Sequence, residues 1–177
     1  MKTLTLVRHA KSEWDDGDQR DFDRSLNERG RRAARTVGAW LKRQGWAFDG
    51  VVASPAVRVV ETLGELRAAS ALALHARLDP RIYLASAATL MEVVADTDDA
   101  AGSLLLAGHN PGLEDLVLAL CGGGEGLDAV AEKFPTVSVA RLSLPIEQWG
   151  QVAEGQGTLE RFVRPRDLDP TLGPDAR

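Results

Sequence analysis

Short apolar runs alternate with longer amphipathic stretches along this chain, and the alternation predicts strand and helix in turn. Leu4, Leu6 and Val7 form the first run, a strand that ends at Arg8 and His9. The polar, Asp-rich stretch from Glu13 to Arg24 reads as a long loop. Ser25-Leu26-Asn27-Glu28 has the Ser-x-x-Glu spacing of a capping box. Ala33, Val37, Trp40 and Leu41 then share one helical face until Gly45 stops the helix. Gly50 to Ala53 is a second strand. Ser54-Pro55 reads as a helix start, with a capping side chain and a residue that needs no amide proton. Val59, Leu63 and Leu66 line the apolar side of that helix, and Arg58 and Thr62 share another side.

The second half repeats the scheme. Leu72 to Leu78 is a weak third strand, and Ser86 caps a helix carrying Leu90, Val93 and Val94. Leu104 to Ala107 is short and continuously apolar, as a central parallel strand covered on both faces should be. Asn110-Pro111 opens a helix with Leu113, Leu116, Val117 and Leu120 at helical spacing, and Gly122 to Gly124 reads as its cap and a loop. Pro135 to Leu144 and Thr158 to Val163 read as later strands nearer a sheet edge. From Arg164 onward, three Pro and mixed charge predict a loosely held tail. The order of elements predicts an α/β fold with a mostly parallel sheet.

Composition sets bounds on this picture. A chain of 177 residues, 44% hydrophobic, fits one domain with a substantial core. Its net charge of -5 argues against general binding to nucleic acid or an anionic membrane. The single cysteine, Cys121, excludes an intrachain disulfide framework and reads as a small buried hydrophobe. The N-terminus lacks the pattern of a signal peptide, and no apolar run approaches the length of a membrane span. The expected location is the cytoplasm.

The candidate chemistry sits at strand ends. Arg8 and His9 follow the first strand, His109 follows Leu104 to Gly108, and Arg58 lies one turn into the helix after the second strand. Ligands of open α/β sheets bind at that carboxyl edge. A lone His there is ordinarily a structural hydrogen-bonding residue, but two His and two Arg at equivalent positions point to one anion site. Arg matches two phosphoryl oxygens with a planar fork, and a neutral imidazole nitrogen can attack phosphorus. The two His with Asp15 or Asp115 would offer a zinc-like set, against which stands the charge of adjacent Arg8. Arg29, Arg31 and Arg32 read as a solvated helix face.

Arg8-His9-Ala10-Lys11-Ser12 resembles the Arg-His-Gly signature of the histidine phosphatase (phosphoglycerate mutase-like) superfamily, and its Ala-Lys-Ser variant resembles the SixA-type phosphohistidine phosphatases. Similar segments follow in order: Asp23 to Gly30, Ser54 to Thr62, Tyr83 to Ser86 and Gly108 to Gly112, so the resemblance spans about residues 3 to 120. It implies a single-domain three-layer α/β/α sandwich over residues 1–163, with the tail at 164–177. It also implies His9 as the phosphorylated nucleophile, with Arg8, Arg58 and His109 binding the phosphoryl oxygens, and no metal or organic cofactor. Ala10 replaces the signature Gly, and Asp15 stands where many members carry a phosphate-binding Asn. Members acting on phosphoesters bring a carboxylate acid after the third strand, whereas Asp79 to Ala88 contains no Glu.

The expectation is therefore a phosphatase acting on a phosphorylated His-containing protein, a phosphorelay or phosphotransfer domain. A small-molecule phosphomonoesterase of the same superfamily is the second reading. A non-catalytic phosphate-binding regulatory module is the third, although such a module needs no nucleophile.

Overall fold

The computed structural model describes residues 1–14 and 17–174. Its elements run β1 (Lys2–Arg8), α1 (Glu28–Gln44), β2 (Gly50–Ala53), α2 (Val57–Ser70), β3 (Arg77–Leu78) and α3 (Ala87–Ala95). Then come β4 (Ser103–Gly108), α4 (Gly112–Leu120), β5 (Cys121–Gly124), α5 (Leu127–Glu132), β6 (Val139–Leu144), β7 (Gly157–Val163) and α6 (Pro165–Leu168). Seven strands make one sheet in the order β3-β2-β4-β1-β6-β7-β5. Only β6 runs against its neighbours; the other pairings are parallel.

Strand alternation builds the three layers. Leu4, Leu6, Val52, Leu104, Leu106 and Leu142 point to one face, where α3, α4 and α5 cover them together with Phe134 and Trp149. Val7, Val51, Ala53, Leu105, Ala107 and Val139 point to the other, under α1 and α2. A central strand apolar at every position is what two covered faces require. The expected single-domain α/β/α sandwich with a mostly parallel sheet is the observed fold.

Several local expectations are corrected. The cap of α1 is Asn27, whose side chain accepts from Gly30 N at 2.8 Å; the helix begins too late for Ser25 to serve. The third strand is only Arg77–Leu78, because the Ala-rich residues before it make no ladder. Gly122 to Gly124 belongs to edge strand β5, paired with β7, instead of a loop. At Gly124, with φ 126, a side chain would collide with the Leu159 carbonyl, so glycine is what lets the two backbones pair. Strands β6 and β7 lie toward the β5 edge of the sheet, as expected, with β5 as the outermost strand on that side.

The tail is also different. Residues 165–168 form α6, and Leu168 and Leu172 pack against the core beneath α1. Arg29 donates to the Gly173 carbonyl, and Arg32 Nη2 lies 3.1 Å from Thr171 Oγ1. Arg31 meets Glu61 and Glu65 on α2. These three arginines tie α1 to its surroundings instead of facing only solvent, and two of them hold the described part of the tail in place.

Gly30 marks where α1 passes the backbone that follows β1. A Cβ there would collide with the Lys11 carbonyl, which also accepts from Asn27 N at 3.0 Å. Gly30→Ala is expected to cost about 1–3 kcal/mol of overpacking. Gly64, inside α2 with nothing within 4 Å of an added Cβ, supplies the contrast. Gly64→Ala should gain about 0.5–1 kcal/mol. Urea unfolding midpoints measure both, and equal midpoints would remove the close-approach account.

Candidate active site

The parallel register of β1 and β4 pairs Arg8 with Gly108. The next residue on each strand is His9 and His109, so two imidazoles emerge side by side where the sheet ends. Their ring centroids are 5.4 Å apart. The backbone is held on both sides: His9 N donates to Gly108 O at 3.1 Å, and Arg8 N donates to Ser138 O at 3.2 Å. Gly108 is required at this point, since a side chain would press on Ile82 at 2.9 Å.

Strand β2 pairs Ala53 with Ala107, which sets Ser54 beside the His109 turn. Ser54 does not cap α2, whose N-cap is Ala56. Its Oγ instead accepts a hydrogen bond from His109 Nε2–H at 2.8 Å, a role its position before Pro55 did not signal. His109 Nδ1 lies 3.3 Å from Arg58 Nη2. A guanidinium only donates, so Nδ1 accepts and the neutral ring carries its proton on Nε2. Arg58 reaches this place from the first turn of α2, with a side chain that is only 3% exposed. Thr62, one turn on, accepts from Ala10 N at 2.8 Å and donates to Arg58 O at 2.6 Å. Sequence placed Thr62 beside Arg58 but gave no sign that it ties α2 to the residue after His9.

His9 is oriented by its own neighbour. Its Nδ1 lies 2.7 Å from the Ala10 carbonyl, which can only accept, so Nδ1 is the protonated nitrogen and Nε2 carries the lone pair. Burial, with Arg8, Arg58 and His109 adding repulsion, depresses its pKa to about 3 against the Ala10 hydrogen bond. Burial and Arg58 likewise depress His109 to about 4. Both imidazoles are neutral at physiological pH. Arg8 donates through Nη1 to the Phe134 carbonyl at 2.8 Å, which Asn110 Nδ2 shares at 3.2 Å. The Nε atoms of Arg8 and Arg58 are buried without a hydrogen-bond partner among the described residues.

The four expected residues thus lie together on the floor of one cleft of about 700 Å³. A fifth group at the floor is one that sequence reasoning missed. Arg58 donates to the Asp21 carbonyl at 2.7 Å and to its carboxylate at 3.0 Å. The Tyr83 hydroxyl donates to the same carboxylate. Burial opposes ionisation of Asp21, but the Tyr83 and Arg58 contacts outweigh it and hold its pKa near 2. Nothing in an Asp-rich loop distinguishes Asp21 from its neighbours. Asp15, set beside the family's Asn position, lies outside the described residues, and Asp115 is an exposed residue of α4. No group of three or more His, Cys, Asp or Glu among the described residues is placed to hold a metal ion.

Residues 4–83 match the model of the histidine phosphatase superfamily (branch 1). The chain is 37% identical over 165 residues to the uncharacterized protein Rv1276c of Mycobacterium tuberculosis, covering 90% of this chain and 100% of that one. Among solved structures it is similar to the candidate phosphohistidine phosphatase SixA of Agrobacterium tumefaciens. That match has a TM-score of 0.78 and 27% identity over 92% of this chain and 97% of that one. A SixA structure from Nakamurella multipartitia gives 0.77 and 27%, over 93% and 96% of the two chains. A sheet end carrying two neutral imidazoles, a buried guanidinium group and a half-buried one, in a chain with these likenesses, leads to one assignment: the protein belongs to the histidine phosphatase superfamily, is of the SixA type, and is a phosphatase.

Proposed function

We propose that the enzyme removes the phosphoryl group from a phosphohistidine carried by another protein, through a phospho-His9 intermediate. The observation that carries this reading is the His9 ring, neutral, fixed by Ala10 through Nδ1, and presenting Nε2 beside Arg8, Arg58 and His109. In the first step the His9 Nε2–P bond forms as the substrate N–P bond breaks. The leaving imidazole departs neutral, keeping the proton on its other nitrogen. In the second step water attacks phosphorus, the Nε2–P bond breaks, and the water proton leaves with inorganic phosphate. Arg8 and Arg58 hold and neutralise the oxygens, each charged hydrogen bond supplying about 1.5–3 kcal/mol.

The cleft's carboxylate inventory supports phosphohistidine over a phosphoester. Asp21 is the single Asp or Glu among the described lining residues, and it is held ionised near pKa 2. An ionised carboxylate has no proton to give an alkoxide, a service worth about 10²–10⁴-fold. A protonated phosphohistidine ring needs none. Asp21 also gives Arg58 the paired oxygen contact that a phosphoryl group would make, so the incoming dianion competes for that fork. We place the reaction in the cytoplasm, in keeping with the absence, among the described residues, of a helix long and apolar enough to cross a membrane.

Rapid quench with a labelled phosphohistidine domain should trap an acid-labile, base-stable phosphoryl-enzyme in the wild type and none in His9→Ala. Wild-type turnover should be good on phosphohistidine and activated aryl phosphates, and poor on glycerol phosphate. Full activity in His9→Ala would sink the nucleophile, and a flat profile across leaving groups would move the small-phosphoester reading ahead.

Arg58→Lys keeps the charge but loses the fork that meets His109 and Asp21 together. We expect kcat/KM to fall at least about tenfold, or about 1.4 kcal/mol. Unchanged kinetics in the folded variant would show that Arg58 does not reach the phosphoryl group.

The two active-site imidazoles should also titrate abnormally. With folded pKa values of about 3 and 4, below the ordinary 6.5, both stay neutral when the unfolded chain protonates. The unfolded state therefore binds more protons as pH drops below 6.5, and stability falls through that window toward pH 4. Proton NMR of the His9 and His109 ring carbons should show no inflection near pH 6.5. Vanadate, a dianion-like ligand placed against His109, should raise its pKa. An inflection of either ring near 6.5 without ligand would contradict the buried, neutral pair.

A further inference from the structure

The cleft holds more positive charge than one phosphoryl group uses. Among its described lining residues are eight Lys or Arg and a single acid, in a chain whose net charge is -5. Arg8 and Arg58 belong to the floor. The other six are Lys11, Arg24, Arg29, Lys133, Arg164 and Arg166. They converge from the loop after β1, the start of α1, the end of α5 and the segment around α6. Several are engaged locally, as Arg24 is with Asp21 and Arg164 with Asp167. Lys133 and Arg166 make no side-chain hydrogen bond or ion pair among the described residues, although Lys133 is exposed and Arg166 half-buried.

The same lip exposes apolar surface. Trp14 is 86% exposed and Leu84 59% exposed, and both line this cleft. Exposed aromatic and aliphatic side chains beside a basic surface suit a macromolecular partner, because a small polyanion has nothing to lay against them. At about 700 Å³ the cleft also exceeds what a phosphorylated imidazole fills.

We propose that the rim formed by Lys133 and the α6 segment with Arg166, together with exposed Trp14 and Leu84, docks an acidic protein surface surrounding the phosphohistidine. This rests on the reading that the substrate is a protein-borne phosphohistidine, and adds which proteins qualify: those whose phosphorylated His is flanked by Asp and Glu. The physical role of the rim is capture. Complementary fields raise the rate of productive encounter and select the partner, and salt weakens them.

The test compares phosphohistidine peptides of equal length with Asp/Glu or with Ser/Gln flanks, alongside phosphoimidazole and inorganic tripolyphosphate. At low salt, kcat/KM for the acidic peptide should exceed the neutral one by about tenfold or more, and the gap should close as salt rises. Lys133→Glu combined with Arg166→Glu should erase the gap while leaving phosphoimidazole turnover unchanged, which also reports correct folding. Equal turnover of the two wild-type peptides at all salt concentrations would overturn the docking surface and leave the phosphohistidine reading intact. A gap that survives the double variant would overturn the role of Lys133 and Arg166. Faster turnover of tripolyphosphate than of either peptide would replace the protein partner with a small polyanion. No turnover of phosphoimidazole or either peptide by the wild type would overturn the phosphohistidine reading itself.

Discussion

The in-register pairing of β1 with β4 is the constraint from which the cleft floor follows. Because Arg8 faces Gly108 across a parallel ladder, the residues one step further emerge together, and both are histidine. A slip of one residue would send every side chain of β1 to the opposite face. The buried alternation forbids it: Leu4 and Leu6 pack under one helical layer and Val7 under the other. The register of the site is thus secured by core burial several residues away, and each apolar side chain so buried supplies about 1.5–3 kcal/mol toward holding it. The next pairing outward, Ala53 with Ala107, brings Ser54 to His109 by the same logic.

Bringing two guanidinium groups and two imidazoles to one buried place is costly, and the protein offsets the cost unevenly. The imidazoles avoid it by staying neutral, which also leaves His9 Nε2 with a lone pair. The arginines cannot deprotonate, so they borrow oxygens: the Phe134 carbonyl for Arg8, and the Asp21 carbonyl and carboxylate for Arg58. The borrowing is incomplete, since each Nε stays buried and unpaired among the described residues. An unmet buried donor costs about 1–3 kcal/mol, more when charged. A compact anion with many acceptor oxygens can take over the borrowed contacts of the guanidinium groups, in the way preorganised sites favour charge that arrives later.

The layered fold and the four residues of the floor were legible because strand ends are written in linear sequence. An apolar run that stops at His or Arg records both the element and the edge of the sheet. What was illegible depends on contacts between distant segments. Asp21 meets Arg58 only because the loop after β1 folds back over α2, and no local pattern separates it from the other loop carboxylates. Ser54 carried a good capping signal, yet α2 starts later and the hydroxyl serves His109. The tail reads as loose from its prolines and charge, but Leu168 and Leu172 find the core and Arg29 and Arg32 hold the backbone beside them. Gly122 to Gly124 resembles a loop by composition, and becomes a strand because glycine permits the approach to β7.

Floor and rim do different physical work, and the distinction follows from when each interaction is made. A rim that touches residues flanking the phosphohistidine holds them as tightly before phosphoryl transfer as during it. Such uniform binding lowers KM and hastens capture but does not lower the barrier from the bound state. In the proposed reaction Arg58 and His109 would differ, because the charge on the oxygens they face would redistribute as phosphorus passes between nitrogens, and their contacts would strengthen in the transition state. Among the described lining residues the one carboxylate, Asp21, is held ionised, so in the proposed reaction the floor would favour a leaving group that needs no proton. If the substrate is the proposed protein-borne phosphohistidine, selection among proteins bearing it falls to surfaces outside the floor, where a basic lip on an acidic protein is the principal asymmetry.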